Sequence, residues 1–207
     1  MTEDEAKAWL TENFPVSRET FVTLEMLAAA VTAENQHQNL VSAATIDQMW
    51  ARHIVDSAQL LLLAPERSGT WIDLGTGAGF PGFVVAILST QPIILVESRR
   101  KRFEFLRATA ASLNLDHVTV HGGSLDSLET IAASVISARA FAPLPKLLDA
   151  AIRFSRKKTL WLLPKGRSAT SELESIRSAW QGEFHVKPSV TDYDATIITA
   201  TGVQKRK

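Results

Sequence analysis

The chain has 207 residues, of which 45% are hydrophobic, enough for the core of one ordinary domain and too few for several. It has no cysteine, which excludes disulfides, thiolate metal sites and cysteine nucleophiles. The chain has 22 basic residues (Lys and Arg) and 22 acidic residues (Asp and Glu), so its net charge is zero. Any attraction to nucleic acid therefore has to come from local clusters of basic residues. The N-terminus is acidic and the apolar run at 60–64 is too short to span a bilayer, so we expect a cytoplasmic protein.

The first part of the chain, residues 1–66, is predicted to be a helical extension. Ser17 has the character of a helix start. Apolar residues at helical spacing follow it, namely Phe21, Leu24, Met26, Leu27 and Val31. A second helix is predicted at 46–63, after which Pro65 and Gly69 mark the passage to the rest of the chain.

Residues 67–207 are predicted to alternate between strands and helices. The strands are expected at 71–74, 93–97, 118–121, 133–138 and 159–163, and the helices at 82–88, 100–113, 144–154 and 169–180. This alternation indicates a mostly parallel α/β sheet with helices on both faces. Segments 183–187 and 196–201, rich in β-branched residues, are predicted to form a closing pair of strands.

The sequence DLGTGAGFPG, which follows the first predicted strand, is a glycine-rich turn. Glycine lets the backbone approach a ligand closely, whereas an ordinary strand-to-helix turn would need fewer glycines. Gly77, Gly79 and Gly82 satisfy the dinucleotide pattern G-x-G-x-x-G. Counted from Asp73 through Gly75, the order D-x-G-x-G-x-G is typical of S-adenosylmethionine-dependent methyltransferases. The turn therefore predicts a nucleotide-like cofactor, and the spacing favours S-adenosylmethionine over a dinucleotide.

Two further strand ends carry candidate cofactor contacts. Glu97 ends the second predicted strand, where a carboxylate can accept hydrogen bonds from ribose hydroxyls. The alternative role for Glu97 is a cap of the helix that follows. Leu125 and Asp126 follow the third strand, where an adenine ring would lie, although an ordinary glycine-rich turn explains that segment equally well.

Four motifs in this order resemble the ribosomal RNA small-subunit methyltransferase G family, also called glucose-inhibited division protein B. They are DLGTGAGFPG, ILVESRRKRFEFLR, SARAFAPLPKLL and LWLLPKG. The segments QNLVS and RHIVDS are similar to the family's HNLT and RHILDS, and the resemblance extends to about Trp180. The chain departs from the family at Gln36-His37-Gln38 and at Leu125-Asp126, which leaves the adenine contacts open.

The resemblance implies a class I methyltransferase fold, Rossmann-like. It implies transfer of a methyl group from S-adenosyl-L-methionine to N7 of a guanine in 16S ribosomal RNA, at conventional position 527. The cofactor contacts would fall on Gly75, Phe80, Leu125, Asp126 and Arg139. Arg52 and His53 enter as substrate contacts through the RHIVDS segment. The expected partner is 16S rRNA or the small ribosomal subunit, and we expect a monomer without a metal.

The expected chemistry fits the residue types. Guanine N7 carries a lone pair and no proton, so alignment with the sulfonium methyl matters more than acid–base catalysis. The lack of cysteine argues against a cytosine C5 methyltransferase, which forms a covalent cysteine adduct. The sequence also lacks the [DN]-P-P-[YFW] run after the fourth strand that is typical of amino-group methyltransferases. Two alternatives stay open: a class I methyltransferase acting on tRNA or a small molecule, and a non-catalytic module that senses NAD(H) or S-adenosylmethionine.

Basic side chains at two later strand ends, Arg139 and Lys165, are the candidate catalytic residues. Arg139 can pair with the methionine carboxylate of the cofactor, or with an acid of the chain itself. Lys165 and Arg167 can bind the RNA backbone or the Hoogsteen edge of guanine, although a surface role explains Lys165 equally well.

Stacking and phosphate contacts complete the predicted substrate site. Phe80, Phe141 or Trp50 would stack on a flipped-out base. Basic clusters lie at 99–102, 153–158, 165–167 and 205–207. If residues 156–158 bind phosphate, neutralising them should lower RNA affinity and its salt dependence.

Overall fold

The computed structural model describes residues 1–64 and 68–206, and it contains a seven-stranded sheet covered by helices. The strands are β1 (Trp71–Leu74), β2 (Ile93–Glu97), β3 (Val118–Gly122), β4 (Val135–Ala138), β5 (Leu160–Lys165), β6 (Trp180–Pro188) and β7 (Thr196–Lys205). The α-helices are α1 (Glu3–Asn13), α2 (Arg18–Glu34), α3 (Asp56–Leu62), α4 (Gly82–Leu88), α5 (Arg100–Ser112), α6 (Leu144–Ala151) and α7 (Ala169–Ile176). Within the described ranges no helix is both long and apolar enough to cross a membrane.

The strand order is β3-β2-β1-β4-β5-β7-β6. The first five strands are parallel, and β7 runs antiparallel to both β5 and β6. The predicted parallel sheet and its closing strand pair are therefore confirmed. Chain order reverses between β1 and β4, and in open α/β sheets a ligand crevice lies at the carboxyl ends of the strands at such a point.

The central strands form because their apolar runs are buried on both faces of the sheet. Every residue of β1 is buried, and Trp71 and Ile72 point into different cores. One core also contains the N-terminal helices, and the other contains α6 and Trp161. The helical extension thus covers one face of the sheet beside the expected crevice.

Helix α2 begins where the sequence predicted. Ser17 is its N-cap, and the Ser17 hydroxyl accepts a hydrogen bond from Thr20 N at 3.2 Å. Leu24, Leu27 and Val31 are buried. The prediction was wrong for Met26, which is 47% exposed, because it lies two positions after Leu24 and so on a different face of the helix.

Three predicted helices differ from the observed ones. The helix predicted at 144–154 is divided into α6 and a 3-10 helix (Ile152–Phe154). The single helix predicted at 46–63 is divided into a 3-10 helix (Ala43–Gln48), a π-helix (Trp50–Val55) and α3. The helix predicted at 169–180 ends at Ile176, because Trp180 pairs with Lys205 as the first residue of β6. Pro65 and the predicted boundary between residues 66 and 67 lie outside the described residues.

The carboxylate of Glu3 caps the π-helix Trp50–Val55. Its two oxygens accept hydrogen bonds from Trp50 N at 3.0 Å and Ala51 N at 3.1 Å. Backbone N–H groups at the start of a helix have no partner within the helix, so a carboxylate there stabilises it. Helix α1 therefore fixes the segment that carries Arg52 and His53.

Replacing Glu3 by alanine should lower the free energy of unfolding by about 1 kcal/mol, the usual effect of losing a side-chain cap. Urea unfolding of Glu3→Ala and of the wild type measures the difference. Glu12→Ala, at an exposed position of the same helix, is the control and should unfold like the wild type. Equal stability of the two variants would contradict the capping role.

Candidate active site

The carboxyl ends of β4 and β5 open into a cavity of about 810 Å³. One side comes from the helical extension and another from the start of β7. Predicted site residues that line the cavity are Arg52, His53, Arg139, Phe141 and Lys165. The fold thus brings together residues from opposite ends of the chain.

The glycine turn after β1 needs its glycines. Gly75, Gly77 and Gly79 have φ values of +61°, +60° and +94°, a region that side chains disfavour. Gly82 is required for another reason, since a Cβ there would lie 2.1 Å from Leu95 Cδ2. The turn therefore follows a path that glycine allows, with the Phe141 ring packed over Gly75 and the Phe83 ring of α4 packed over Gly79.

Asp73 lies beneath the glycine turn and is hydrogen-bonded to its last glycine. Its carboxylate is fully buried and accepts hydrogen bonds from Gly82 N at 3.1 Å and from the Ser137 hydroxyl at 2.6 Å. Burial raises the pKa of Asp73 to about 6. The Asp73 side chain thus fixes the turn from the core side and does not extend into the cleft.

Glu97 is buried at the end of β2, and both of its carboxylate oxygens have partners. One oxygen accepts from Gly77 N at 3.1 Å and the other from Arg99 N at 2.8 Å, just before α5. The alternative role as an N-cap of α5 was wrong, because the N-cap is Arg99, and at this helix Glu97 bonds only the N–H of Arg99. The same contacts place Glu97 beside the glycine turn, where its predicted ribose contact would lie.

The segment after β3 forms a short 3-10 helix, Leu125–Ser127. Leu125 is buried and Asp126 is exposed. In the sequence, Arg153 is identified only as part of a basic cluster. In the structure, Arg153 donates hydrogen bonds to the carbonyls of Leu125 and Leu128. Arg153 therefore fixes the predicted adenine segment.

Arg139 joins β4 to the helical extension. Its guanidinium lies 3.5 Å from the Asp56 carboxylate, donates to Arg52 O at 3.3 Å and lies 3.2 Å from His53 Nδ1. The alternative considered for Arg139, an ion pair with an acid of the chain itself, is thus present. Sequence reasoning missed Asp56, although it lies within the RHIVDS segment.

His53 is neutral in this arrangement. Arginine only donates hydrogen bonds, so Nδ1 of His53 accepts from Arg139 and Nε2 carries the proton toward the Thr45 hydroxyl, 2.9 Å away. Burial, reinforced by Arg139 and Arg52, lowers the pKa of His53 to about 3. His53 therefore stays uncharged at physiological pH.

Lys165 is not a surface lysine, since only 10% of its side chain is exposed. Its ammonium lies 2.8 Å from Glu172 on α7 and 3.4 Å from Ala142 O. Arg167 is highly exposed and pairs with Asp194. Lys165 is thus fixed at the cavity, whereas Arg167 lies near its outer edge.

The three candidate aromatic residues differ in accessibility. Phe80 is buried and its ring stacks on His53 at 5.1 Å, while Trp50 is buried and stacks on Phe21 at 4.9 Å. Phe141 is 36% exposed and lies against the glycine turn, so that a Cβ on Gly75 would be 2.5 Å from Phe141 Cδ2. Of the three, Phe141 has the ring that remains open to a substrate.

The basic clusters lie at two edges of the sheet. Residues 99–102 follow β2 at the carboxyl edge, and Arg102 donates to Asn39 O at 2.8 Å. Residues 156–158 precede β5 and therefore lie at the amino edge, away from the cavity. Lys205 ends β7 at that same edge, and Lys207 lies outside the described residues.

The sheet order, the glycine turn and the cleft define a Rossmann-like methyltransferase fold. A putative O-methyltransferase from Klebsiella pneumoniae has the same fold, with a TM-score of 0.63, 16% sequence identity and 96% of each chain covered. An O-methyltransferase from Bacillus cereus, solved in complex with SAH, matches with a TM-score of 0.61 and 15% identity, covering 94% of this chain and 96% of that chain. The predicted fold class is confirmed.

The family model described as rRNA small subunit methyltransferase G matches residues 21–197. Ribosomal RNA small subunit methyltransferase G of Rhizorhabdus wittichii is 54% identical, over 100% of this chain and 95% of that protein. The protein of the same name from Zymomonas mobilis is 47% identical, over 100% of this chain and 97% of its own length. The chain therefore belongs to the rRNA small subunit methyltransferase G family, and the predicted family and enzyme class are confirmed.

The neutral His53 makes stability depend on pH. In the unfolded chain a histidine binds a proton below about pH 6.5, whereas folded His53 binds one only near pH 3. Stability contributed by His53 is therefore lost as pH falls below about 6.5. Relative to His53→Gln, the wild type should lose about 2 kcal/mol of unfolding free energy between about pH 7.5 and pH 5.

Urea unfolding of both proteins at the two pH values measures this difference. The raised pKa of Asp73 has the opposite effect, because the folded state binds a proton there that the unfolded chain releases. Asp73 is present in both proteins, so its contribution cancels. A difference that does not change with pH would contradict a neutral buried His53.

Proposed function

We propose that this protein transfers a methyl group from S-adenosyl-L-methionine to N7 of a guanine in 16S ribosomal RNA, at conventional position 527. The observation that carries the proposal is the full-length match to proteins named ribosomal RNA small subunit methyltransferase G. The proposal includes a monomer without a metal, in which residues 1–66 and 67–207 act as one unit. The ion pair between Asp56 of the first segment and Arg139 of the second supports the packing of the two segments as one unit.

The glycine turn and its neighbours fit the cofactor. Gly77 has a positive φ, and the nearest atom to the position of a Cβ there is Arg102 Nη1 at 3.6 Å, so a ligand can approach the backbone of the turn at Gly77. Each carboxylate oxygen can accept more than one hydrogen bond, so Glu97 can bind a ribose hydroxyl while it accepts from Gly77 N. Leu125 offers an apolar contact to adenine, and the exposed Asp126 can accept from its amino group. The cofactor supplies the electrophilic methyl group.

The glycine turn, Glu97, Leu125 and Asp126 do not line the cavity, and the residues that do line it fit the alignment of a guanine. Phe141 offers an exposed ring beside the glycine turn, on which a flipped base can stack. Lys165 is a fixed donor that can bind guanine O6, since two carbonyl or carboxylate contacts set its position. With the cofactor bound, N7 would take the methyl carbon as its bond to the sulfonium sulfur breaks and S-adenosylhomocysteine leaves, so neither a base nor a covalent enzyme intermediate would be needed. Arg52 and Arg167 would bind the RNA backbone.

The reaction can be tested by supplying unmodified 16S rRNA, small ribosomal subunits and tRNA with labelled cofactor. We expect label in the small-subunit RNA, at N7 of one guanine, when the modified nucleotide is mapped by mass spectrometry. Label in tRNA alone would favour a different nucleic-acid substrate. Cofactor binding without transfer to any of them would favour a sensing module.

Arg139 is proposed to bind the methionine carboxylate of the cofactor while it pairs with Asp56. Loss of a charged hydrogen-bonding partner costs about 1.5–3 kcal/mol, so Arg139→Gln should weaken S-adenosylmethionine binding roughly tenfold or more. Isothermal titration calorimetry measures the affinity, and circular dichroism checks that the variant is folded. Arg156→Gln, the same substitution at the amino edge of the sheet before β5, is the matched control and should bind the cofactor like the wild type. Wild-type affinity in a folded Arg139→Gln protein would reject this contact.

A further inference from the structure

The loop between β6 and β7 lies beside the cleft. Ser189 N donates to Ala195 O at 2.9 Å, which closes the base of the loop, and both residues line the cavity. At the end of the loop, Asp194 N donates to Asp192 Oδ1 at 3.0 Å. We call residues Asp192, Tyr193 and Asp194 the acidic tip.

Each carboxylate of the acidic tip pairs with an arginine from a different part of the molecule. Asp192 lies 2.5 Å from Arg52, on the π-helix of the helical extension. Asp194 pairs with Arg167, in the segment that follows β5. Both arginines are the proposed contacts of the RNA backbone, so the carboxylates occupy positions that RNA phosphates would take.

The pair of Arg167 and Asp194 is exposed and therefore weak, and the pair of Arg52 and Asp192 is half-buried but still in contact with water. The side chains of Arg52 and Asp192 are 38% and 32% exposed, and those of Arg167 and Asp194 are 82% and 60% exposed. Water and salt screen such pairs. Phosphate can accept two parallel hydrogen bonds from a guanidinium, and RNA presents phosphates at regular intervals. An RNA backbone can thus displace the carboxylates at small cost.

Tyr193, between the two aspartates, is fully exposed. Among the large hydrophobic side chains of the described residues, it is the most exposed. An aromatic ring in water beside a phosphate-binding position suits stacking on an RNA base, which is favourable for any base. The loop therefore combines two phosphate positions with a stacking surface.

We propose that the acidic tip is an RNA-binding edge of the cleft, in which Asp192 and Asp194 occupy two phosphate positions in the free protein and Tyr193 stacks on a base of the bound RNA. When RNA binds, Arg52 and Arg167 exchange carboxylate for phosphate. The released carboxylates move away from the RNA backbone, which repels them. This inference rests on the proposed function, because it requires both arginines to bind RNA.

Steady-state methylation of unmodified 16S rRNA by Asp192→Asn and Asp194→Asn tests the exchange. Each variant keeps the size of the side chain and removes the competing charge, so KM for rRNA should fall roughly two- to fivefold at low salt. The difference should shrink as salt is raised. The matched control is Asp149→Asn, which removes the same charge from an ion pair with Lys205, 2.6 Å long, at the amino edge of the sheet. KM values equal to that of the control would overturn the exchange.

Tyr193 is tested in the same assay. Tyr193→Ala should raise KM for rRNA roughly fivefold or more, and Tyr193→Phe should restore the wild-type value. A wild-type KM in Tyr193→Ala would overturn the stacking contact.

Arg52→Gln and Arg167→Gln separate this inference from the proposed function. Raised KM values in the arginine variants, with no change in the aspartate variants, would overturn the acidic tip alone. Unchanged KM values in the arginine variants would overturn both the RNA role of the arginines and the inference.

Discussion

The ion pair between Arg139 and Asp56 is the interaction on which the cleft depends. Arg139 follows β4 of the sheet, and Asp56 begins α3 of the helical extension. The other oxygen of Asp56 accepts hydrogen bonds from Gln59 at 2.9 Å and from Thr191, in the β6–β7 loop, at 3.0 Å. Removing one partner of a largely buried pair leaves an uncompensated charge. One carboxylate therefore fixes the extension, the sheet and the loop relative to one another.

The sequence predicted the central elements because their hydrophobic patterns are unambiguous. β2 and α4 have the predicted bounds, since each is an apolar run between clear breakers. Elsewhere tertiary packing outweighed local pattern. The segment ending at Trp180 has the spacing of a helix, but Trp180 is buried in β6 beside β7. The π-helix Trp50–Val55 could not be predicted, because its start is capped by Glu3, far away in the chain.

The candidate site was predictable where a residue's position follows from a strand end. Arg139 and Lys165 follow parallel neighbouring strands, whose carboxyl ends meet at one edge of the sheet, so both line the cavity. Their partners could not be found in this way. Asp56 pairs with Arg139 across many intervening residues, and the Arg52 partner, Asp192, lies 140 residues further along the chain. Hydrophobic periodicity and motif spacing are local patterns, so they do not predict ion pairs between residues that are distant in the sequence.

The pairing of basic residues explains how an electroneutral chain can suit a polyanionic substrate. Lys165, Arg167 and Arg52 at the cleft each pair with a carboxylate of the chain. Their fields largely cancel at a distance and the net charge of the chain is zero, so long-range attraction of RNA is weak. In the exchange that we propose, RNA phosphates replace the carboxylates at the half-buried pair of Arg52 and the exposed pair of Arg167, whereas the buried pair of Lys165 keeps its geometry. Selectivity for the substrate then depends on short-range contacts with Arg52, Arg167 and Lys165. A random polyanion gains little from approaching the protein, because it is not attracted from a distance.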